Sequence, residues 1–420
     1  MTEKLFQYIW QFQHFNFSQL KSEQGENIQI IDPGTLNRDQ GPDFLSASIK
    51  IADTVWFGNV ELHLLSSDWF KHEHHLDNNY KNVILHVVCK NDHPLTAPPV
   101  PVLELQSRIS LILLDRYSDW MSAPHSIPCE QHIASVPRVE WKQWTAEVLK
   151  QRLERKAEYI FALYNKTNHH WIETFWWMLA RNFGIRVNAE AFESIARSIP
   201  VKILTRHKDQ VIVIESLLFG QAGLLDRKFT EEYPGMLQKE YRHYRKKYLL
   251  KKTFVSLKFL RMRPSSFPSI RLAQLAMLIS RSSHLFSKVI ESANLTELLE
   301  LFTVTANDYW HYHYHFDEPS DHKEKKLGND MIENILINTV APIIYAYGIF
   351  QQDKAFSARA VSLLESLSAE QNRVSNNWLK MNIPLKNAAE TQSVLELNSR
   401  YCDYKRCLEC GIGKRILDLG

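Results

Sequence analysis

An α+β chain is predicted, with a small N-terminal α/β domain built on a mixed sheet and a large, mainly helical region after it. Three observations predict this. Residues 44–51 and 55–65 alternate apolar and polar side chains, the period of a half-buried strand. That pattern stops near residue 109, and a proline-bearing stretch from Ser122 to Pro137 follows. Beyond it, one segment after another carries helix-like spacing or composition. The expected organisation is residues 1–130 as the α/β domain, 131–395 as the helical domain and 396–420 as a cysteine-bearing tail.

The elements follow in order. Residues 4–15 read as a short apolar helix. The two strands at 44–51 and 55–65 are close enough for Ala52-Asp53-Thr54 to be a hairpin turn. VILHVV (83–88) and VPVLELQSRI (100–109) read as two more strands. Helices are expected at 138–165, 169–184, 188–198, 210–219, 235–261, 270–288, 294–305, 329–347, 355–368 and 370–380.

At 420 residues and 45% hydrophobic content, the chain can bury substantial cores in two or three domains. No apolar run stands out as membrane-spanning, so no membrane partner is expected. MTEKLFQYIWQFQHF is too polar for a signal peptide. Five cysteines, an odd number, do not suggest a disulfide framework. A reducing, cytoplasmic setting is the expectation. The net charge of +3 excludes nothing.

In VELHL (60–64), Val60, Leu62 and Leu64 share one face of the strand, and Glu61 and His63 share the other. Pro42-Asp43 stands at the start of the partner strand, so a hairpin brings Asp43 towards Glu61 and His63. Carboxylate oxygens suit a hard ion such as Mg²⁺ or Mn²⁺, which can polarise a phosphate and activate a water. Asp43 and Glu61 are the expected ligands, with His63 a third ligand or the general base; the alternative for the two carboxylates is a structural ion pair or a surface role.

This arrangement resembles the PD-(D/E)XK nuclease superfamily, whose core is a helix followed by a mixed sheet, with Asp on one strand and (Asp/Glu)-x-Lys on the next. Pro42-Asp43 and Glu61-Leu62-His63 match that pattern except that His63 replaces the lysine. The resemblance implies a restriction-endonuclease-like fold and metal-dependent cleavage of nucleic acid. Nearly the whole chain also resembles an uncharacterised bacterial family of unknown function. That likeness rests on GPDF (41–44), GNVELHLLSSDW (58–69), the His72/His74/Asp77/Tyr80 run, ILHVV (84–88), FGQAGLL (219–225), RMRPSSFPSIRLAQLA (261–276) and YCDYKRCLECGIG (401–413). It implies no activity.

Four further stretches are candidates. SSDWFKHEHHLD holds Asp68, His72, His74, His75 and Asp77, a set that suits a transition metal or a polar loop. His86 lies in an apolar run and reads as a core histidine. Residues 239–263 carry ten Lys/Arg against one Glu, interleaved with Tyr241, Tyr244, Tyr248, Phe254 and Phe259. Cations contact phosphates and aromatic planes stack on bases, so DNA or RNA binding through Arg245, Lys246 and Lys247 is expected. The alternative is a solvated face. Arg261, Arg263 and Arg271 are a candidate phosphate pocket or else buried structural arginines. Cys402, Cys407 and Cys410 have C-x₄-C-x₂-C spacing, which suits Zn²⁺ or an iron–sulfur cluster with a fourth ligand such as Cys129, Cys89 or a histidine. Some nucleases of the superfamily hold a distant segment with such a cluster. YWHYHYHFDE (309–318) would place His311, His313 and His315 on one strand face, or else form an aromatic-rich docking segment.

Two functions therefore stand: a metal-dependent nuclease or phosphodiesterase, and a non-catalytic protein that binds nucleic acid or another protein through a degenerate nuclease-like core.

Overall fold

A computed structural model describes residues 1–92, 100–124, 126–282, 284–292 and 294–418. His125 of the expected linker and Ser283 of the expected 270–288 helix lie outside the described residues. The fold is mixed α+β, with an N-terminal mixed sheet and a mainly helical remainder. Two compact units divide the chain: Met1–Trp144 together with Leu397–Gly420, and Thr145–Glu396.

In the first unit, helix α1 (Glu3–Gln11) begins at Thr2, whose hydroxyl accepts the Leu5 N–H. Its buried face carries Leu5, Phe6, Ile9 and Trp10. Six strands follow: β1 (Ile28–Asp32), β2 (Thr35–Leu36), β3 (Phe44–Ile51), β4 (Thr54–Leu65), β5 (Val83–Lys90) and β6 (Val102–Glu104). They lie in the order β1-β3-β4-β5-β6, and β2 also pairs with β3. The β1/β3, β2/β3 and β3/β4 pairs are antiparallel, and β4/β5 and β5/β6 are parallel. Strands β1 and β2 were not expected, and the strand expected at 100–109 is cut to β6, with a 3₁₀ turn at Gln106–Arg108.

The β3–β4 hairpin has a two-residue loop, Ala52-Asp53, between the paired Ile51 and Thr54. At its far end the register slips. Phe44 pairs with Val60 and Ala47 with Gly58, so Leu45 and Ser46 oppose Asn59 alone. Ser46 takes a positive φ of 59° in this bulge. The slip re-aims the strand start and brings Asp43 beside Glu61.

A parallel pair needs a long crossover rather than a tight turn. The β4–β5 crossover runs from Ser66 to Asn82 through helix α2 (Asp68–Lys71) and a 3₁₀ turn at Asn78–Tyr80. It lies over the β4 face that carries Glu61 and His63. That face is therefore interior: Glu61 is 5% exposed and His63 2%.

The second unit packs its helices around one apolar core that includes Phe183, Phe192, Leu218, Ile270 and Ile343. Helices stand at Arg138–Lys166, which crosses from the first unit, and at Trp171–Phe183, Ile185–Ser198, Val211–Gln221 and Lys354–Ser366, close to the expected spans. The segment Asn329–Gln351 is long and apolar enough to cross a membrane by length and composition. However, 72% of its apolar window is buried, as in a core helix. It contains a π turn at Leu336–Val340, just before Pro342. Proline has no N–H and would clash with the carbonyl four residues back, and the wider turn relieves both problems.

Two helix expectations are corrected. The helix expected at 235–261 is Glu232–Lys247. It stops where Leu249 takes a φ of 53°. The chain then runs extended, anchored by the Gln221 side chain on the Thr253 N–H and by Asn188 on both the N–H and C=O of Lys258. The helix expected at 270–288 is broken into Pro268–Arg281 and Leu285–Glu291, with His284 in the left-handed region.

Candidate metal centre

The centre is built on β4 and its crossover. Asp43 and Glu61 clasp each other through the backbone. The Asp43 N–H donates to Glu61 Oε2 at 3.1 Å, and the Leu62 N–H donates to Asp43 Oδ2 at 3.0 Å. Gln7 of α1 donates to Asp43 Oδ1 at 2.7 Å. Burial and the neighbouring Glu61 charge push the Asp43 carboxyl up to about 7.

Glu61 Oε1 is left to face the histidines. It lies 3.5 Å from His63 Nε2 and 3.4 Å from His74 Nε2. His63 Nε2 is in turn 3.2 Å from His72 Nδ1. One ring nitrogen of each of His63, His72 and His74 falls within 4.8 Å of the other two. Donors bound tetrahedrally to zinc at about 2.0–2.1 Å stand about 3.3–3.4 Å apart. Three of the spacings here, 3.2, 3.4 and 3.5 Å, are close to that value.

The second ring nitrogen of His63 lies 2.9 Å from His86 Nε2. A proton on His63 Nδ1 would fix the ring with Nε2 free to bind a cation. Burial, and then the neighbouring His86, His74 and His72 rings, lower His63 to about 2, and burial followed by His74 lowers His86 to about 3. Both imidazoles are therefore neutral at ordinary pH, the form that ligates. The Tyr80 ring stacks on His74 at 3.9 Å, and the Trp69 ring is 5.1 Å from His86. His74 Nε2 and His86 Nδ1 are buried without a hydrogen-bond partner. An unpaired buried nitrogen costs free energy, and a bound cation would remove that cost at His74. His72 lies at the solvent edge, whereas His63 is buried and His74 half-buried.

Asp43 lies beside Glu61 and Glu61 beside His63, while the Asp43 carboxylate, an expected ligand, faces the Gln7 and Leu62 donors. His72 and His74 join them, since the crossover that reads as a polar loop folds onto the same face. Gln7 carried no local signal. Its partner lies 36 residues along the chain. His86 is buried in the sheet, as its apolar neighbours suggest, but it also touches the centre.

The remaining candidates lie in the helical unit or the tail. Arg245, Lys246 and Lys247 are exposed in the last turn of Glu232–Lys247. Arg261 and Arg263 are exposed, but Arg271 is buried and bonded to Gln274 and Ser266, so the three do not form one surface pocket. Among the basic stretch's aromatics, Tyr241 is core and Phe254 is 93% exposed. Of the histidines of 309–318, only His313 and His315 lie on a strand, the short His313–His315. His311 ends a helix, His313 bonds Glu231 and the Tyr309 carbonyl, and His315 packs on Phe259 and Phe267. Cys402, Cys407 and Cys410 are buried free thiols.

No curated protein and no solved structure matches the chain. A family model described as "Protein of unknown function (DUF2851)" matches residues 3–373, so it covers the whole centre, and the chain belongs to that family.

Proposed function

We propose that the chain is a metal-dependent phosphodiester hydrolase acting on nucleic acid, with its centre at Glu61, His63 and His74. The observation that carries this is the clustering of Glu61 Oε1 with one nitrogen each of His63 and His74, at 3.5 and 3.4 Å, and of His72 with His63 at 3.2 Å, spacings near those of zinc-bound donors. A set rich in imidazole favours Zn²⁺ or another late first-row ion over Mg²⁺, which prefers oxygen donors. Such a metal would supply Lewis-acid polarisation of a phosphoryl oxygen and a lowered water pKa.

The residues divide the work. Glu61, His63 and His74 are the inner donors, and a two-histidine, one-carboxylate set with an open fourth position is a recurrent hydrolytic arrangement. His72, at the solvent edge, is the donor that substrate or water displaces. Asp43 holds the Glu61 carboxylate through its N–H. Its own carboxylate is the proton acceptor for the attacking water, since each oxygen accepts one hydrogen bond and keeps a free lone pair. The nuclease-like core has support in the order helix, antiparallel hairpin, crossover and parallel strand, with Asp43 and Glu61 on the paired strands. The exposed cations of 245–247 support a polyanionic substrate.

A second reading, a non-catalytic nucleic-acid- or protein-binding protein, is favoured by one observation. Four protein donors can fill a tetrahedral shell, which is the habit of structural zinc. One assay separates the two: cleavage of labelled single- and double-stranded DNA and RNA with Zn²⁺, Mn²⁺ or Mg²⁺, by wild type, His63→Ala, His74→Ala and His72→Ala. Cleavage abolished in the first two variants and kept in His72→Ala supports the hydrolase. No cleavage by wild type under any metal, with no metal retained by His72→Ala, supports the non-catalytic reading.

A further inference from the structure

Within the helical unit, the helix Arg138–Lys166 sets Lys156 on the wall of a cavity of about 390 Å³. Three further segments share that wall. The helix Trp171–Phe183 contributes Met178 and Arg181, the helix Ile185–Ser198 contributes Arg186, and the π turn Leu336–Val340 contributes Asn338. The volume is that of a small-molecule site. Among the described residues no carboxylate lines the cavity, whereas three cations do: Lys156, Arg181 and Arg186. Arg181 is already paired with Glu193 at 2.7 Å, and Arg186 is exposed.

Lys156 is half-buried, and its Nζ donates to Asn338 Oδ1 at 3.1 Å and to Gln392 Oε1 at 3.2 Å. The Gln392 amide cannot turn round, because its Nε2 donates to Glu370. Neither acceptor is charged. The nearby Glu396 is taken up by Arg152 at 2.9 Å and Arg155 at 2.6 Å. An ammonium carries three N–H donors, whereas the neutral amine carries two and a lone pair. Two acceptors therefore satisfy the neutral amine and leave its lone pair free, while an ammonium would keep an N–H without a protein partner. Burial and then the Arg152 charge lower the amine to about 7, with Arg155 adding to the fall and Glu370 and Glu396 opposing it. About half of such an amine is neutral at pH 7, against fewer than about one in 10³ for an ordinary lysine. Asn338 stands on the π turn, a distortion frequent at functional sites.

We propose that Lys156 is a reactive amine and that its cavity takes a small anionic aldehyde or ketone as a covalent imine. The Nζ lone pair attacks the carbonyl carbon, so that a C–N bond forms and the C=O π pair moves to oxygen. One amine proton passes to that oxygen and gives the carbinolamine. Its hydroxyl then leaves with the remaining N–H proton as water, and C=N is left. Amine and carbonyl thus give imine and water, with no oxidant or reductant. A lysine desolvated beside other cations is the kind that forms such imines. Arg186, on the same wall, supplies the charge that holds the anionic group.

The test uses the full chain at pH 7 with glyoxylate, an anionic aldehyde, and sodium cyanoborohydride, which reduces an imine to a stable secondary amine. Peptide mass mapping compares Lys156 with the exposed Lys246 and Lys354. Lys156 is expected to be labelled roughly tenfold faster or more, as a lysine with a lowered pKa is. Acetaldehyde, which is neutral, should show a smaller preference for Lys156 over the same two lysines. Arg186→Ala should shrink the glyoxylate preference towards the acetaldehyde value. Equal labelling of the three lysines, or labelling of the exposed two with Lys156 untouched, would overturn the proposal. A preference identical for both aldehydes would overturn the anionic substrate class. Should Arg186→Ala fail to fold, the two aldehydes compared on the wild type decide that point.

Discussion

The Asp43 backbone N–H donates to Glu61 Oε2, which leaves Glu61 Oε1 facing His63 and His74. A two-residue bulge at Leu45-Ser46 makes that approach possible. Neutralising the Asp43 carboxylate should therefore leave the N–H bond in place and weaken only the acceptor of the Leu62 and Gln7 donors. Asp43→Asn is expected to keep metal affinity within about tenfold and to lower kcat by roughly 10²–10⁴, the usual worth of a general base. Metal titration followed by single-turnover cleavage checks both halves.

Gly220 lies on the helix Val211–Gln221 beneath the Tyr241 ring, and a Cβ there would meet the ring at 2.2 Å. Gly220→Ala should destabilise the helical unit by about 1–3 kcal/mol through overpacking. Urea denaturation of the variant measures this, and a Tyr241→Ala background should absorb most of the cost.

Glu215 is wholly buried among the Tyr233 hydroxyl, the Asn307 amide and the Trp310 indole N–H, and burial pushes its carboxyl up to about 7. The folded state thus holds this proton more tightly than the unfolded chain does. Between about pH 4.5 and 7 the folded state binds more protons, so this group's contribution falls as pH rises and is gone above 7. The full swing is roughly 3 kcal/mol. The stability difference between wild type and Glu215→Gln, followed by denaturation from pH 5 to 8, should shrink or reverse in that direction as pH rises. A flat difference would contradict the assignment.

Arg245, Lys246, Lys247 and the Phe254 ring of the basic stretch are all exposed. Reversing the three charges should weaken DNA or RNA binding and reduce the salt slope by about 0.7–0.9 for each phosphate that is no longer neutralised. Phe254→Ala should cost single-strand affinity, about 1–3 kcal/mol if the ring stacks on a base, with the slope unchanged. Fluorescence anisotropy across a salt series separates the two effects.

Much of this was legible in the sequence. Strands β3 and β4 show in the period-two alternation, and the pairing of Asp43 with Glu61 follows from a short hairpin. The identity of the face was not legible. Glu61 and His63 read equally as a wet surface or a site, because what covers them is the β4–β5 crossover, and only parallel pairing of β5 lays that segment down. His72 and His74 were visible as histidines but not as neighbours of His63. The end of the helix at Lys247 was hidden because Tyr248–Val255 keeps apolar spacing, while the extended path is fixed by the distant side chains of Gln221 and Asn188.

The proposed hydrolase requires Glu61, His63 and His74 to bind one metal ion. Its most direct test is anomalous diffraction from crystals soaked in Zn²⁺, collected on both sides of the zinc edge. A peak is expected about 2.0–2.2 Å from Glu61 Oε1, His63 Nε2 and His74 Nε2. A zinc-soaked crystal with no peak there, and with the His63 and His74 rings turned away from Glu61, would contradict it.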